Sequence, residues 1–121
     1  MYSAVVLDKE SRSKLLSVMG TYVPDDWEKI AHHMTINMGP IKPELERYLG
    51  MTVPLRVKEI GISEKAFAVK VEGFPTTNKI PHITIAIDRK GGGKPVMSNL
   101  ITDWRPIQLG FDLKGTVKEI K

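Results

Sequence analysis

The sequence contains no cysteine, and this absence excludes two classes of site at once. Without thiols the chain can form neither disulfide bonds nor a zinc site built on cysteine ligands. It also has no apolar run near the ~20 residues that a membrane-spanning helix requires. The amino-terminal segment reaches a charge at Asp8, too early for a secretory signal. We therefore expect a cytoplasmic protein that does not associate with membranes.

Aromatic residues are few, and charges of one sign are not gathered in runs. Three tyrosines, three phenylalanines and two tryptophans are too few for an extended platform on which many bases stack. The net charge of +4 favours a phosphate-bearing partner through long-range attraction, without identifying one. A small ligand or the end of one nucleic-acid strand fits this composition better than a duplex does.

A short pattern occurs twice, as His33-Met34-Thr35-Ile36 and as His82-Ile83-Thr84-Ile85. Each copy lies in a stretch that is typical of a buried strand. Residues two apart in a strand point to the same face, so the histidine and threonine of each copy share a face. Two such strands side by side would present two imidazoles and two hydroxyls to one small volume. That set of groups suits acid–base chemistry on a phosphate.

The chain length of 121 residues predicts a single domain, residues 1–121, with one core. Alternating and apolar segments predict a strand-rich α+β fold with mostly antiparallel sheets and two or three short helices. Because the motif is the only internal repeat, we expect a two-lobed, pseudo-symmetric layout around a central cleft. The predicted strands cover 3–7, 30–38, 53–62, 65–72, 80–88 and 107–120, with short helices near 15–19, 43–49 and 96–101.

The paired motifs in a small basic α+β chain resemble the 2H phosphoesterase family, which is named for its two histidines. The resemblance implies an enzyme, a metal-independent phosphodiesterase that hydrolyses 2′,3′-cyclic phosphate ends of RNA or nucleotides. It implies that His33 and His82 divide the acid and base roles and that Thr35 and Thr84 bind the phosphate. The expected partner is therefore an RNA end or a nucleotide.

The residue types agree with this chemistry, because opening a phosphodiester needs a base for water and an acid for the leaving oxygen. Histidine suits both tasks, since its ordinary pKa lies close to neutral pH. Threonine hydroxyls can donate to phosphate oxygens as charge builds up there. No acidic residue lies near His33, and Asp88 is six positions beyond His82, so the sequence predicts no metal ligand cluster and no cofactor.

Two alternatives remain open at this point. One keeps the chemistry and changes the substrate to a cyclic oligonucleotide second messenger, as in phage anti-defence members of the family. The other is a nucleotide-binding or RNA-end-binding module that catalyses nothing.

Four further residues have weaker claims to a role. Tyr2 lies beside the first predicted strand and could stack on a base, with core packing or exposure as the alternative. Lys90 and Lys94 flank three glycines and could hold a phosphate, although a simple flexible turn is the preferred interpretation. His32 is expected to point away from His33, because neighbours in a strand alternate faces.

Overall fold

The computed structural model describes all residues from Met1 to Lys121. The chain forms seven strands, one α-helix and three short 3₁₀ helices, which confirms the α+β class. The strands are β1 (Tyr2–Leu7), β2 (Glu28–Lys29), β3 (His33–Asn37), β4 (Thr52–Ile62), β5 (Ala66–Glu72), β6 (His82–Ile87) and β7 (Asp103–Ile120). The α-helix is α1 (Lys9–Met19), and the 3₁₀ helices are Gly20–Tyr22, Pro43–Tyr48 and Pro95–Leu100. None of these helices is both long and apolar enough to cross a membrane.

Six of the strands close into an antiparallel barrel. The order around the barrel is β6-β3-β1-β7-β4-β5, and pairing of β5 with β6 completes the ring. The two-residue strand β2 pairs with β6 outside this ring. One closed sheet thus takes the place of the separate lobes that the sequence predicts. The 18-residue strand β7 joins the two halves of this sheet, because it pairs with β4 over much of its length and with β1 near its carboxyl-terminal end.

The interior of the barrel is an apolar core built by period-two alternation. In β5, Phe67, Val69 and Val71 are buried in the main core, while Ala66 and Ala68 face outward. The same alternation puts the second and fourth residues of both motifs inside. The core members from the motif strands are Met34, Ile36, Ile83 and Ile85, all at most 1% exposed.

Helix α1 begins at Lys9, earlier than the helix predicted near residues 15–19. The Asp8 carboxylate accepts a hydrogen bond from the backbone N–H of Ser11 at 2.7 Å, which satisfies a donor of the first turn. Leu15 and Met19, one turn apart, are buried in the main core. The Ser11 hydroxyl in turn accepts from the backbone N–H of Lys114 at 2.8 Å, which ties the helix to β7.

A second, smaller apolar cluster lies on the outer face of β5 and β6. It consists of Ala66, Ala68, Ile87 and Ile101, with the partly buried Met97 and Trp104 packed against it. The 3₁₀ helix Pro95–Leu100 contacts both strands here. This packing holds the 3₁₀ helix over the outer face of the sheet, beside the second motif.

Candidate functional site

All four motif side chains line one cleft on the outer face of the barrel. Met34 pairs with Ile83 across the antiparallel strands β3 and β6, and both residues point into the core. Their neighbours in each strand therefore point outward, into a cleft of about 300 Å³. The cleft is lined by Tyr2, Ile30, His33, Thr35, Met38, Asn78, His82, Thr84, Pro95, Val96 and Asn99. The structure thus brings together the two histidines, the two threonines and Tyr2.

His82 is held with one particular nitrogen available to the cleft. Only 8% of the residue is exposed, and its Nδ1 lies 2.8 Å from the carbonyl oxygen of Ile80. A carbonyl can only accept, so Nδ1 carries the proton and donates it in this bond. In the neutral ring Nε2 is then the basic nitrogen, and in the charged ring Nε2 is the proton donor.

His33 lies among two other imidazoles and one phenol ring. The Tyr2 ring centroid is 5.1 Å from that of His33, and His32 is at the same distance on an edge-on approach. Burial lowers the pKa of His33 to about 4, with charge on His32 and then on His82 adding to the effect. His33 is therefore neutral at pH 7.

The orientation of His32 differs from the prediction that it points away from His33. His32 is exposed, but its Nδ1 lies 2.9 Å from Nδ1 of His33, a distance that requires one proton between the two nitrogens. Strict alternation fails because Ala31, just before, has a φ of +43°. The backbone pairing with β6 is also irregular here. Met34 pairs with Ile83, but the N–H of Ala31, three residues earlier, bonds the carbonyl of Thr84, which is only one residue further along β6.

The Thr84 hydroxyl is oriented by a residue that the sequence analysis did not single out. Its Oγ1 lies 2.8 Å from Oγ of Ser98, which is 1% exposed in the 3₁₀ helix Pro95–Leu100. If Ser98 donates in this bond, the proton of Thr84 is free to point into the cleft. The only signal in the sequence was a serine within a short apolar segment.

A polar loop supplies another wall of the cleft. Thr76 donates its hydroxyl to the backbone carbonyl of Thr35 at 2.7 Å, and the N–H of Thr77 bonds the Ile36 carbonyl at 2.8 Å. These bonds fix the loop to β3, and Asn78 then lines the cleft beside the motif. Asn99 lines it from the 3₁₀ helix on the other side. Both asparagines were missed, because the sequence indicated only a loop and a helical turn.

Lys90 and Lys94 do not line the cleft. The glycine loop between them is an ordered turn around Asp88, whose backbone carbonyl accepts from the N–H groups of Gly91 and Gly93 at 3.1 and 2.7 Å. These two N–H groups are already used, so they do not form a phosphate cradle. The preferred interpretation of this segment as a turn agrees with the structure.

The donors of the cleft favour an anionic ligand. Its lining contains two imidazoles, three hydroxyls and two side-chain amides, and none of the chain's 14 acidic residues. No group of three or more His, Cys, Asp or Glu side chains is arranged to hold a metal ion. A phosphate here would meet hydrogen-bond donors on several sides without a carboxylate to repel it.

No protein-family model matches the chain, and no curated protein matches it.

Proposed function

We propose that the protein is a 2H-type phosphodiesterase that hydrolyses 2′,3′-cyclic phosphates on RNA ends or nucleotides without a metal ion. One observation carries the proposal: His33, Thr35, His82 and Thr84, from two distant parts of the chain, line the same cleft. A histidine pair and a threonine pair are the groups that this reaction needs on either side of one phosphorus atom. The proposed compartment is the cytoplasm.

His33 takes the role of the base in this mechanism. Its lowered pKa keeps it neutral at pH 7, so it can accept a proton from water as the water oxygen attacks phosphorus. A base of such low pKa is weak in the empty cleft. The negative charge of a bound phosphate favours the charged imidazole and raises the pKa of His33 when the substrate is present.

His82 takes the role of the acid. Its Nδ1–H is held by the Ile80 carbonyl, so a proton on Nε2 is directed to the cleft. The bond from phosphorus to one ribose oxygen breaks as the water oxygen bonds to phosphorus, and His82 gives its proton to that departing oxygen. The product is a phosphate monoester with a free hydroxyl, and the two histidines exchange protonation states. Proton return through solvent resets the pair.

Thr35 and Thr84 hold the phosphate in this arrangement. Their hydroxyls donate to the non-bridging oxygens, where negative charge grows in the transition state. The bond between Thr84 and Ser98 preorganises one of the two donors. In this proposal Tyr2, whose ring lies beside that of His33, stacks on the base of the terminal nucleotide.

The strand register around the motifs agrees with the pseudo-symmetric part of this proposal. Met34 and Ile83, the second residues of the two motifs, pair with each other across the antiparallel strands β3 and β6. A local two-fold axis through this pair would relate His33 to His82 and Thr35 to Thr84.

The test is hydrolysis of 2′,3′-cyclic mononucleotides in excess EDTA, followed by ³¹P NMR, which separates the cyclic phosphate from both monoester products. We expect the parent protein to form monoester and a folded His33→Ala protein to form none above background. Binding of the nucleotide without turnover at any pH from 5 to 9 would support the non-catalytic binding module instead. Absence of both binding and turnover would contradict the proposal.

A further inference from the structure

A second groove adjoins the cleft at His82 and continues past the 3₁₀ helix Pro95–Leu100. It has a volume of about 590 Å³, roughly twice that of the cleft. His82 and Asn99 line both spaces. The remaining walls of the groove include Lys79, Ile80, Leu100, Thr102 and Trp104. His82, the proposed acid, therefore lies where the cleft and the second groove meet.

The second groove has the charge that a phosphate requires. Lys79 is exposed at its edge, directly after Asn78 of the cleft wall. No aspartate or glutamate lines the groove, so the lysine is not neutralised there. A phosphate that extends from the cleft past His82 would meet this ammonium group.

The groove also offers a rigid aromatic surface. Trp104 donates its Nε1–H to the Ile101 carbonyl at 3.1 Å. Its ring lies directly on the backbone of Gly61, where an added Cβ would come within 2.5 Å of a ring carbon. These contacts fix the ring plane while the residue stays partly exposed and lines the groove. A fixed, partly exposed indole is a suitable stacking partner for a nucleobase.

We propose that the second groove binds the nucleotide on the 5′ side of the cyclic phosphate, so that the substrate is an RNA strand of at least two nucleotides. Lys79 contacts the phosphate that joins the two nucleotides, and Trp104 stacks on the second base. This inference rests on the proposed function, because it places the reacting phosphate at His33 and His82. It adds a substrate length and a subsite that the motif residues do not provide.

The experiment compares kcat/KM for a dinucleotide ending in a 2′,3′-cyclic phosphate with kcat/KM for the matching cyclic mononucleotide. Since stacking of one base and one phosphate contact both add to binding, we expect the parent to prefer the dinucleotide by about tenfold or more. Lys79→Ala and Trp104→Leu should each move this ratio toward one. Lys90→Ala, an exposed lysine outside both spaces, should leave the ratio at the parent value.

The same measurements distinguish failure of the subsite from failure of the proposed function. Equal use of both substrates by an active parent overturns the subsite, and so does a dinucleotide preference that survives in both variants. A greater preference for a cyclic oligonucleotide than for the linear dinucleotide overturns the assignment to an RNA strand. Hydrolysis of none of these substrates overturns the proposed function itself. If Trp104→Leu does not fold, the substrate ratio of Lys79→Ala still tests the subsite, because Lys79 is exposed.

Discussion

Met34 and Ile83 face each other across β3 and β6, and both are buried in the barrel core. This pair sets the direction of every other residue in the two motifs. Because strand residues alternate, burying the second position of each motif turns the histidine and threonine outward on both strands. The core therefore aligns the candidate catalytic groups, and a slip of one residue in either strand would turn them inward.

Replacement of His82 by asparagine separates its chemistry from its packing. The asparagine amide can still donate to the Ile80 carbonyl, but Nε2 is gone. We expect kcat on a 2′,3′-cyclic nucleotide to fall ~10²–10⁴-fold, with the urea midpoint nearly unchanged. His82→Ala should lose the same activity and also about 1 kcal/mol of stability, since its hydrogen bond is missing. A His82→Asn protein that keeps most of the parental kcat would remove His82 from the mechanism.

The low pKa of His33 makes the folded protein sensitive to mild acid. The folded pKa is about 4, below the ordinary value of 6.5, so between these values the unfolded chain binds a proton that the folded chain does not. The free energy of unfolding should fall as pH drops through this window. Allowing for partial exposure, the contribution is on the order of 2 kcal/mol.

Urea unfolding at pH 7 and pH 4.5 measures this contribution when the parent is compared with His33→Asn. The variant should lose less stability on acidification than the parent by about that amount. Equal losses in the two proteins would mean that His33 does not titrate as described.

Charge on His32 has a larger effect than charge on His82 on the pKa of His33. Replacing His32 by asparagine removes the charge while leaving an amide that can donate to or accept from Nδ1 of His33. We expect the pKa of His33 to rise from about 4 toward 6.5, as followed by NMR titration of the imidazole. His82→Asn should raise it by less. The opposite order, or no change with either variant, would contradict the geometry given for the three imidazoles.

The hydroxyls of Thr35 and Thr84 are tested by valine, which keeps their shape. Each substitution should lower kcat by roughly 10²-fold, the usual effect of removing one donor from a developing negative charge. Ser98→Ala leaves the Thr84 hydroxyl in place without its buried partner, so it should cost about 1 kcal/mol of stability and a smaller part of kcat. Full activity in both valine variants would leave the phosphate without its proposed donors.

Local features of this fold could be predicted from the sequence. The strand pattern located the two motif strands, and the helix predicted over 43–49 is found as the 3₁₀ helix Pro43–Tyr48. Closure of the barrel could not be predicted, because it depends on which distant strands pair. Strand β7 begins four residues earlier than expected, at Asp103, and its pairing with β4 shifts between Val57 and Glu59.

The parts of the site that were missed lie outside regular strands. Ser98, Asn78 and Asn99 reach the motif residues only because a loop and a 3₁₀ helix fold over the outer face of the sheet. His32 was expected on the other face because alternation was assumed to extend beyond the start of β3. The positive φ of Ala31 interrupts that pattern, and nothing in the residue type announces it.

The most direct test of the account is the pH dependence of kcat/KM for a 2′,3′-cyclic nucleotide in excess EDTA. A base and an acid that work together predict a bell-shaped profile. The limb at low pH should depend on His33 and should shift to higher pH in His32→Asn. The profile should disappear in His33→Ala and in His82→Asn. A rate that is lost in EDTA, or a profile that survives both substitutions, would contradict two-histidine chemistry in this cleft.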